Sequence, residues 1–585
     1  MANRELSRIF SELALYLEMD SIPFKPRSYE KAAEALNVLS DEAEEIYQKE
    51  GPKGLEGIPG VGKGIAEKIA EYLETGKIHE LEQYRKKMPT DIEKLTLVEG
   101  IGPKMVKELW GYLKIKNLKD LEKAARAGRV AGIPGFGPKK EQNILQGIGF
   151  LKRSEGRWLL HEIYPVAQRY AEELKASGLV RQAVPAGSLR RMKETIGDID
   201  ILVSTKQPGK AMDFFLNMVP HEKVWGKGRT KTSVRSTQGF DVDVRVVPEN
   251  VFGAALQYFT GSKEHNVRLR TLAAKKGFKL SEYGLFSAKG GSAVGGKGKK
   301  LVACKTEKSV YRILGIQEPE PELREDRGEV QAALLGKLPK LIPYGSLKGD
   351  LQVQTDWTDG RHSIEEMARE SKKQGLSYIA ITDHTRDLAM TGGLDEKKLR
   401  LQMAEIDRIN SKSEFRNSRF RVLKGAEVNI RKDGSLDIED ELLAKLDVVG
   451  ASVHSNFRMS KNDMTKRIVR AMKSPHVDIL FHPTGRWLLK REAYEADMEE
   501  IIREAQKTGT ALEVNASVRM DLKDADIRKA VEAGVKLAID SDAHDKSHFR
   551  FLRFGIAQAR RGWAKASDVM NTRDVVGFLG LLKKK

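Results

Sequence analysis

The chain has 585 residues, with 102 Lys and Arg against 83 Asp and Glu and a formal charge of +19; length alone predicts about four domains, and the charge predicts a polyanionic partner bound in a salt-sensitive way. No run of about twenty apolar residues occurs, which excludes an ordinary membrane-spanning helix, and Arg4, Glu5, Arg8 and Glu12 within the first helical pattern exclude a signal peptide. Cys304 is the single cysteine, so no intramolecular disulfide can form; a cytoplasmic protein is expected, and a monomer.

The first region is helical in pattern and punctuated by three Gly-x-Gly turns: Ile58-Pro59-Gly60-Val61-Gly62, Val98-Glu99-Gly100-Ile101-Gly102 and Ile133-Pro134-Gly135-Phe136-Gly137. Basic, helix-forming residues follow each one: Lys63, Pro103-Lys104 and Pro138-Lys139-Lys140. The pattern resembles helix-hairpin-helix motifs, in which a glycine-rich turn offers amide N–H groups at a helix N-terminus to a backbone phosphate without reading sequence. One copy would as readily be an ordinary interhelical turn, but three beside lysines predict DNA contacts at Gly60, Gly62, Lys63, Gly100, Gly102, Lys104, Gly135 and Gly137.

Next come Gly187-Ser188-Leu189-Arg190-Arg191, Gly197-Asp198-Ile199-Asp200 and Asp241-Val242-Asp243-Val244-Arg245. Side chains alternate faces in a strand, so Asp198 and Asp200 share one side, as do Asp241, Asp243 and Arg245. Crowded carboxylates repel unless cations neutralise them, and hard oxygen ligands suit Mg²⁺ or Mn²⁺. The interleaved Ile199, Ile201, Leu202, Val242 and Val244 predict strands whose other face packs in a core. The Gly187-Ser188 turn would bring amides and a hydroxyl to a phosphate, with Arg190 and Arg191 adding charge. A lone Gly-Asp-x-Asp is as readily a turn with solvated carboxylates; the combination reads as a two-metal nucleotidyl-transfer site.

These segments, with Phe252-Gly253-Ala254-Ala255-Leu256-Gln257-Tyr258-Phe259-Thr260-Gly261-Ser262 and then Asn266 and Arg270, resemble the X-family DNA polymerases, of which polymerase beta is the best-known member. The resemblance implies that Asp198, Asp200 and Asp243 are catalytic metal ligands and that Arg245 orients one of them. It implies that Ser188 and Arg191 hold the triphosphate, that Tyr258 and Phe259 pack against the sugar, that Gly187 and Gly261 belong to the same nucleotide site, and that Asn266 and Arg270 lie at the minor-groove side of the nascent pair. Asp241 stands where polymerase beta is basic and is left out as a ligand. A tyrosine under the sugar would favour deoxynucleotides. Residues 1 to 88 resemble that family's lyase domain, with Lys68 at the Schiff-base position and Lys25, Tyr29 and Lys63 lining a 5′-phosphate pocket. Phe24 and Gly64 depart from it, standing where polymerase beta carries a histidine and a lysine.

Gly290 to Lys300 reads as a flexible basic loop, and Glu318-Pro319-Glu320-Pro321-Glu322-Leu323-Arg324-Glu325 as an acidic, proline-stiffened linker at a domain boundary. Beyond it, apolar strand runs such as Tyr378-Ile379-Ala380-Ile381 and Val448-Val449-Gly450-Ala451 alternate with amphipathic helices, which argues for an α/β barrel. At the strand ends sit Asp383-His384, Glu427, His454, His482, Asp542 and His544, where barrels keep their chemistry; imidazole with carboxylate suits Zn²⁺, Mn²⁺ or Fe²⁺.

This segment resembles the PHP (polymerase and histidinol phosphatase) domain. By analogy with a trinuclear site, Glu427, His454 and His482 would hold one metal and Asp359, His384 and His544 another. A third, shared with Glu427 and Asp542, meets Gln352 and Gln354 where the family has two histidines. Family members act as Mn²⁺-dependent 3′–5′ exonucleases.

The expected fold class is thus multidomain α+β and α/β: helix-hairpin-helix domains at 1–88 and 89–145, a polymerase beta-like nucleotidyltransferase palm at 146–250, a thumb at 251–318, a linker at 319–338 and a PHP-type distorted (β/α)7 barrel at 339–585. The expected function is gap filling on gapped or primed DNA from dNTPs, in base excision repair, with Mg²⁺ or Mn²⁺ at the palm. Two alternatives stand beside it: a barrel that is only a structural or binding module, and a palm that adds nucleotides without a template.

Overall fold

A computed structural model describes residues 2–39, 42–58, 60–98, 100–154, 156–287, 301–303, 305–388 and 391–583; the expected basic loop and Cys304 lie outside them. The chain forms two compact units, Met1–Glu155 with Leu489–Arg491, and Gly156–Leu488 with Glu492–Lys585.

The first unit is helical around one apolar core that includes Leu6, Phe10, Leu13, Ile69, Val106 and Leu121. The Gly-x-Gly turns lead into α1 (Lys63–Thr75), α2 (Pro103–Leu113) and α3 (Gly137–Ser154). Helix α1 buries Ile65, Ala66, Ile69 and Ala70, one stripe at helical spacing. Pro103 opens α2, where a missing N–H costs nothing.

The second unit begins with α4 (Leu160–Ala176) and a five-stranded sheet. Its strands are β1 (Gln182–Pro185), β2 (Asp198–Ser204), β3 (His221–Lys227), β4 (Lys231–Ser236) and β5 (Asp241–Val247), in the order β1-β2-β5-β4-β3. Only β2 and β5 run parallel. Between β1 and β2 sits the short α5 (Gly187–Arg190), and α6 (Pro208–Met218) packs Phe215 behind the sheet. Helices α7 (Phe252–Thr260), α8 (Lys263–Lys275) and α9 (Glu307–Ile313) follow, with a small antiparallel sheet, around a core of Leu269, Leu285, Val310 and Tyr311.

The stretch 319–338, expected as a linker, is a packed strap. Several of its charges are consumed inside the protein. Buried Arg324 bonds Glu307 and lies 5.2 Å over Tyr311, while Glu329 meets His265 at 2.6 Å. Glu322 receives Arg560 at 2.8 Å and the Tyr344 hydroxyl at 2.7 Å.

The last region is a seven-stranded, all-parallel sheet in sequential order: β6 (Gly349–Val353), β7 (Tyr378–Ile381), β8 (Arg421–Asn429), β9 (Val448–Ser452), β10 (Ile479–Leu480), β11 (Ala511–Asn515) and β12 (Leu537–Asp540). The ends nearly close: Val353 bridges Ala543, and Leu351 N donates to Asp540 Oδ1 at 2.8 Å. Leu351, Tyr378, Phe481 and Ala538 share one core cluster of the sheet, while Val353, Ile379, Val422 and Ile539 pack with the surrounding helices. Burial on both faces explains why the strands read as continuous apolar runs. Helices α10 (Lys461–Met472) and α11 (Leu552–Arg561) belong to this shell.

Barrel and palm share a core. Leu160, Ile163 and Phe240 cluster with Ala516, Met520, Phe551 and Phe554, and the His161 ring meets Phe551 at 4.9 Å, tilted by 60°. Gln558 donates to the Met192 carbonyl at 2.9 Å, and Arg486 pairs with Glu194 at 2.8 Å.

Candidate active sites

The parallel pairing of β2 with β5 aligns Asp198 with Asp241 and Asp200 with Asp243. The apolar residues between them are buried, so the carboxylates emerge together on the opposite face. Burial first, and then Asp198 and Asp243, push the Asp200 carboxyl up to about 7; burial, Asp243 and Asp241 raise Asp198. Lys231, on β4, answers part of this charge with Nζ 2.6 Å from Asp243 Oδ2. Hard oxygen donors crowded in this way fit Mg²⁺ or Mn²⁺. Asp241 is turned aside, taking Trp225 Nε1 at 2.9 Å and Arg235 at 3.0 Å.

Gly187 lies against this cluster. Its φ is +59°, and a Cβ there would strike the Asp200 carboxylate, so glycine is required twice over. Ser188 opens the short α5 beside it. Arg190 is spent on Glu307, at 2.6 Å, and on Thr260. Arg191 donates Nε to Glu325 at 2.9 Å and Nη1 to the Thr260 carbonyl at 2.5 Å, which brings it beside Gly261. Tyr258 and Phe259 are perpendicular, 5.2 Å apart. Asn266 is bonded inward, to the Tyr258 carbonyl at 2.7 Å and to Gln257 at 2.8 Å, whereas Arg270 on the same helix is exposed. Arg245, expected to orient an aspartate, lies 4.6 Å over the Phe259 ring, and its charge acts to lower the Asp200 carboxyl. The aromatic face offers a delocalised cation a partner that needs no hydrogen bond.

In the helical unit, Gly60, Gly100 and Gly135 have φ of +81°, +85° and +83°. Each turn closes with the same bond, Val61 to Ile58, Ile101 to Val98 and Phe136 to Ile133, at 2.9, 2.9 and 3.0 Å. Gly62 and Gly102 cap their helices in extended backbone, while Gly137 is left-handed at +65°. Lys63 and Lys104 are exposed. Lys68 is tied to Glu80 at 2.9 Å, with Glu71 at 4.0 Å. Tyr29 is buried, its ring packing on Phe10 at 5.5 Å, and Lys25 is exposed at the start of its helix.

At the C-terminal end of the barrel strands, buried Glu427 is the hub. Its Oε1 faces His482 Nε2 at 2.8 Å and His454 Nε2 at 3.1 Å, and its Oε2 faces His384 Nδ1 at 3.3 Å. His384 and His544 each approach Asp359 Oδ1 at 3.7 Å. His384, Glu427 and His454 form one group able to hold a metal, and Asp359, His384 and His544 a second, the donor atoms of each lying within 4.8 Å of one another. Burial depresses His384 to about 4, so its ring keeps a free lone pair. Both groups fit Mn²⁺, Zn²⁺ or Fe²⁺. The third position does not: Gln354 Nε2 donates to Glu427 Oε2 at 2.9 Å, filling with an N–H the side of the carboxylate that a cation would use. Asn515 joins Gln352 Oε1, at 3.1 Å, to Asp542, at 3.2 Å.

Sequence reasoning missed several participants. Asn429 holds His454 Nδ1 at 2.7 Å and is itself fixed by Asp437 and Thr385. Asp350, Glu513 and Asp540 are fully buried; burial raises Asp350 to about 7 and drives the other two well above the carboxylate range. Their signal was a carboxylate interrupting an apolar strand run.

Models of known families match four stretches: a helix-hairpin-helix domain at 1–78, a SAM-like helix-hairpin-helix tandem at 92–149, the DNA polymerase beta thumb at 255–325 and the PHP domain at 350–517. Among curated proteins, the DNA polymerase/3′-5′ exonuclease PolX of Bacillus subtilis (strain 168) is 35% identical over 588 residues, covering 100% of both chains. DNA polymerase lambda of Arabidopsis thaliana is 27% identical over 353 residues, 55% of this chain and 62% of that protein. A probable phosphatase of Thermoanaerobacter sp. (strain X514) is 33% identical over 199 residues, 31% of this chain and 72% of that one. With an aspartate-lined palm, hairpin turns and a PHP barrel in one chain that aligns with PolX from end to end, the protein belongs to the PolX family of family X DNA polymerases.

Proposed function

We propose that this chain is a DNA-directed DNA polymerase that fills short gaps during base excision repair, and that its barrel trims 3′ ends. The observation that carries the reading is the gathering of Asp198, Asp200 and Asp243 on one face of β2 and β5 beside the Gly187 turn. Divalent ions bound there would lower the pKa of the primer 3′-hydroxyl and neutralise the triphosphate and leaving pyrophosphate during in-line attack. Arg191 would leave Glu325 for the triphosphate, with Ser188 and the Gly187 turn alongside. Tyr258, Phe259 and Gly261 would seat the deoxyribose, and Asn266 and Arg270 would face the minor groove of the new pair. The three hairpin turns would grip backbone phosphates on gapped or primed DNA. Lys25, Tyr29 and Lys63 would take the 5′-phosphate, and Lys68, once released from Glu80, would attack an abasic sugar.

In the barrel, Glu427, His454 and His482 with Asp359, His384 and His544 would hold Mn²⁺, Zn²⁺ or Fe²⁺, and Asp542 would stand beside them. A catalytically silent barrel is the second reading; the Gln354 amide on Glu427 favours it. One experiment separates them. A 3′-recessed labelled primer with Mn²⁺ and no nucleotides should shorten stepwise, and His454→Ala should stop it. Extension without shortening leaves a polymerase alone. Failure of a one-nucleotide gap to fill, in a protein whose Asp243→Asn variant behaves identically, overturns the polymerase reading.

A further inference from the structure

Beside the histidine cluster lies an open cleft of about 660 Å³ that neither proposed reaction uses. It is built on the same end of the barrel. Lys432 follows the end of β8 by three residues, Asn456 follows His454 by two, and α10 contributes Lys466, Arg467 and Arg470. Arg458 completes the basic wall.

Charge in the cleft is out of balance. Five cations face two carboxylates, and both carboxylates are engaged: Asp433 with Ser435 at 2.7 Å and Arg470 at 3.4 Å, Asp463 with Ser460 at 2.7 Å. Lys432, Arg458 and Lys466 have no ion-pair partner among the described residues. Arg467 is the unusual member. It is only 2% exposed, yet its guanidinium bonds backbone carbonyls, Ser455 at 2.7 Å and Arg431 at 2.9 Å together with Ile430, and no carboxylate. A buried guanidinium without a counter-charge is costly. Here it ties the loops after β8 and β9 together and leaves a fixed positive floor, an arrangement that gains when an anion arrives.

We propose that this cleft tracks the DNA strand whose 3′ end enters the histidine cluster, its phosphodiesters held by Lys432, Arg458 and Lys466 above the Arg467 floor. The proposal rests on the reading of the barrel as a DNA-processing domain. It names no base contact, because lysine and arginine on a backbone are indifferent to sequence. Met459 in the lining suits it, since it offers an apolar surface to an unstacked base.

The test uses the full chain and an oligodeoxynucleotide with 5-iodo-deoxyuridine two residues from its 3′ end. Ultraviolet cross-linking followed by peptide mass spectrometry should label residues 456–470. The Lys432→Ala, Arg458→Ala, Lys466→Ala triple variant should lose that label, while the charge-keeping exchange Lys432→Arg, Arg458→Lys, Lys466→Arg should keep it. Where shortening is observed, the alanine variant's KM for DNA should rise about tenfold relative to its KM for the 4-nitrophenyl ester of thymidine 5′-phosphate, and the salt slope of DNA binding should fall by about two. Labels that fall elsewhere, or that persist in the alanine variant, overturn the proposal. Labels at 456–470 without any shortening sustain the cleft and remove the exonuclease reading instead.

Discussion

Arg561, on a barrel helix, donates to the main-chain carbonyl of Arg191 at 2.7 Å, across 370 positions of sequence. The same nitrogen reaches Glu325 Oε1 at 3.1 Å, and Arg191 Nε reaches that oxygen at 2.9 Å. A barrel side chain thereby fixes both the backbone of Arg191, the residue proposed for the triphosphate, and the carboxylate that Arg191 is paired with. Burial alone would raise Glu325; Arg561 and Arg191 outweigh it and hold the carboxyl below its ordinary range. Arg561→Ala strips a cation from buried Glu325 and Asp524 together, so stability should fall by about 2–4 kcal/mol. Glu325 would then be left to Arg191 and Lys193 and grip Arg191 more tightly, and the KM for dNTP should rise. Thermal unfolding with steady-state gap filling measures both, and an unchanged KM would sever the link.

Asp200 sets a pH dependence. Its carboxyl is pushed up to about 7, by burial and then by Asp198 and Asp243, so below that pH a metal must displace a proton. The metal concentration for half-maximal gap filling should rise about tenfold per unit as pH falls below 7, and level off above it. A flat response from pH 5.5 to 8 refutes the assignment.

Gly187→Ala should cripple polymerisation out of proportion to stability. The left-handed φ of +59° costs about 1–2 kcal/mol for any L residue, and the new methyl group would push Asp200 aside. Gap filling should drop far below what the modest shift in melting temperature explains.

The hairpin glycines should split into two classes. Gly60 and Gly100 are left-handed, so alanine there costs about 1–2 kcal/mol. Gly62 and Gly102 are extended, with open space around a notional Cβ. Nothing within the protein demands glycine at those two, so Gly62→Ala with Gly102→Ala should leave stability within about 0.5 kcal/mol and weaken DNA binding by crowding the backbone phosphate.

Gln352→His with Gln354→His should add a metal. Replacing the amide that occupies Glu427 Oε2 with imidazole lone pairs converts a hydrogen-bonded position into a ligated one. Metal per chain after Mn²⁺ dialysis, read by plasma mass spectrometry, should increase by about one.

The acidic strands were legible because alternation is local: a period of two fixes the face of Asp198, Asp200 and Asp243 before any fold is known. The hairpin turns and the barrel strands were legible for the same reason, each being a short pattern with one physical cause. Partners were not. Lys231, Glu325, Asn429 and Arg561 find their places through contacts that cross strands or domains, and no spacing announces them. Acidic and proline-rich composition made residues 318–325 read as a linker, whereas buried arginines at 324, 560 and 561 pair with Glu318, Glu322 and Glu325. The burial of the Tyr29 ring against Phe10 likewise had no local signal.

The apolar core common to palm and barrel has a consequence for error correction. Pulling the two apart would wet Phe551, Phe554, Met520 and Ile163 together, so neither centre can swing to meet the other. If the barrel trims 3′ ends as proposed, a mispaired primer terminus would have to do the travelling, melting off its template to reach it. Its fate becomes a race between the next addition and its own unwinding, and the mismatch itself, by fraying, sets the odds.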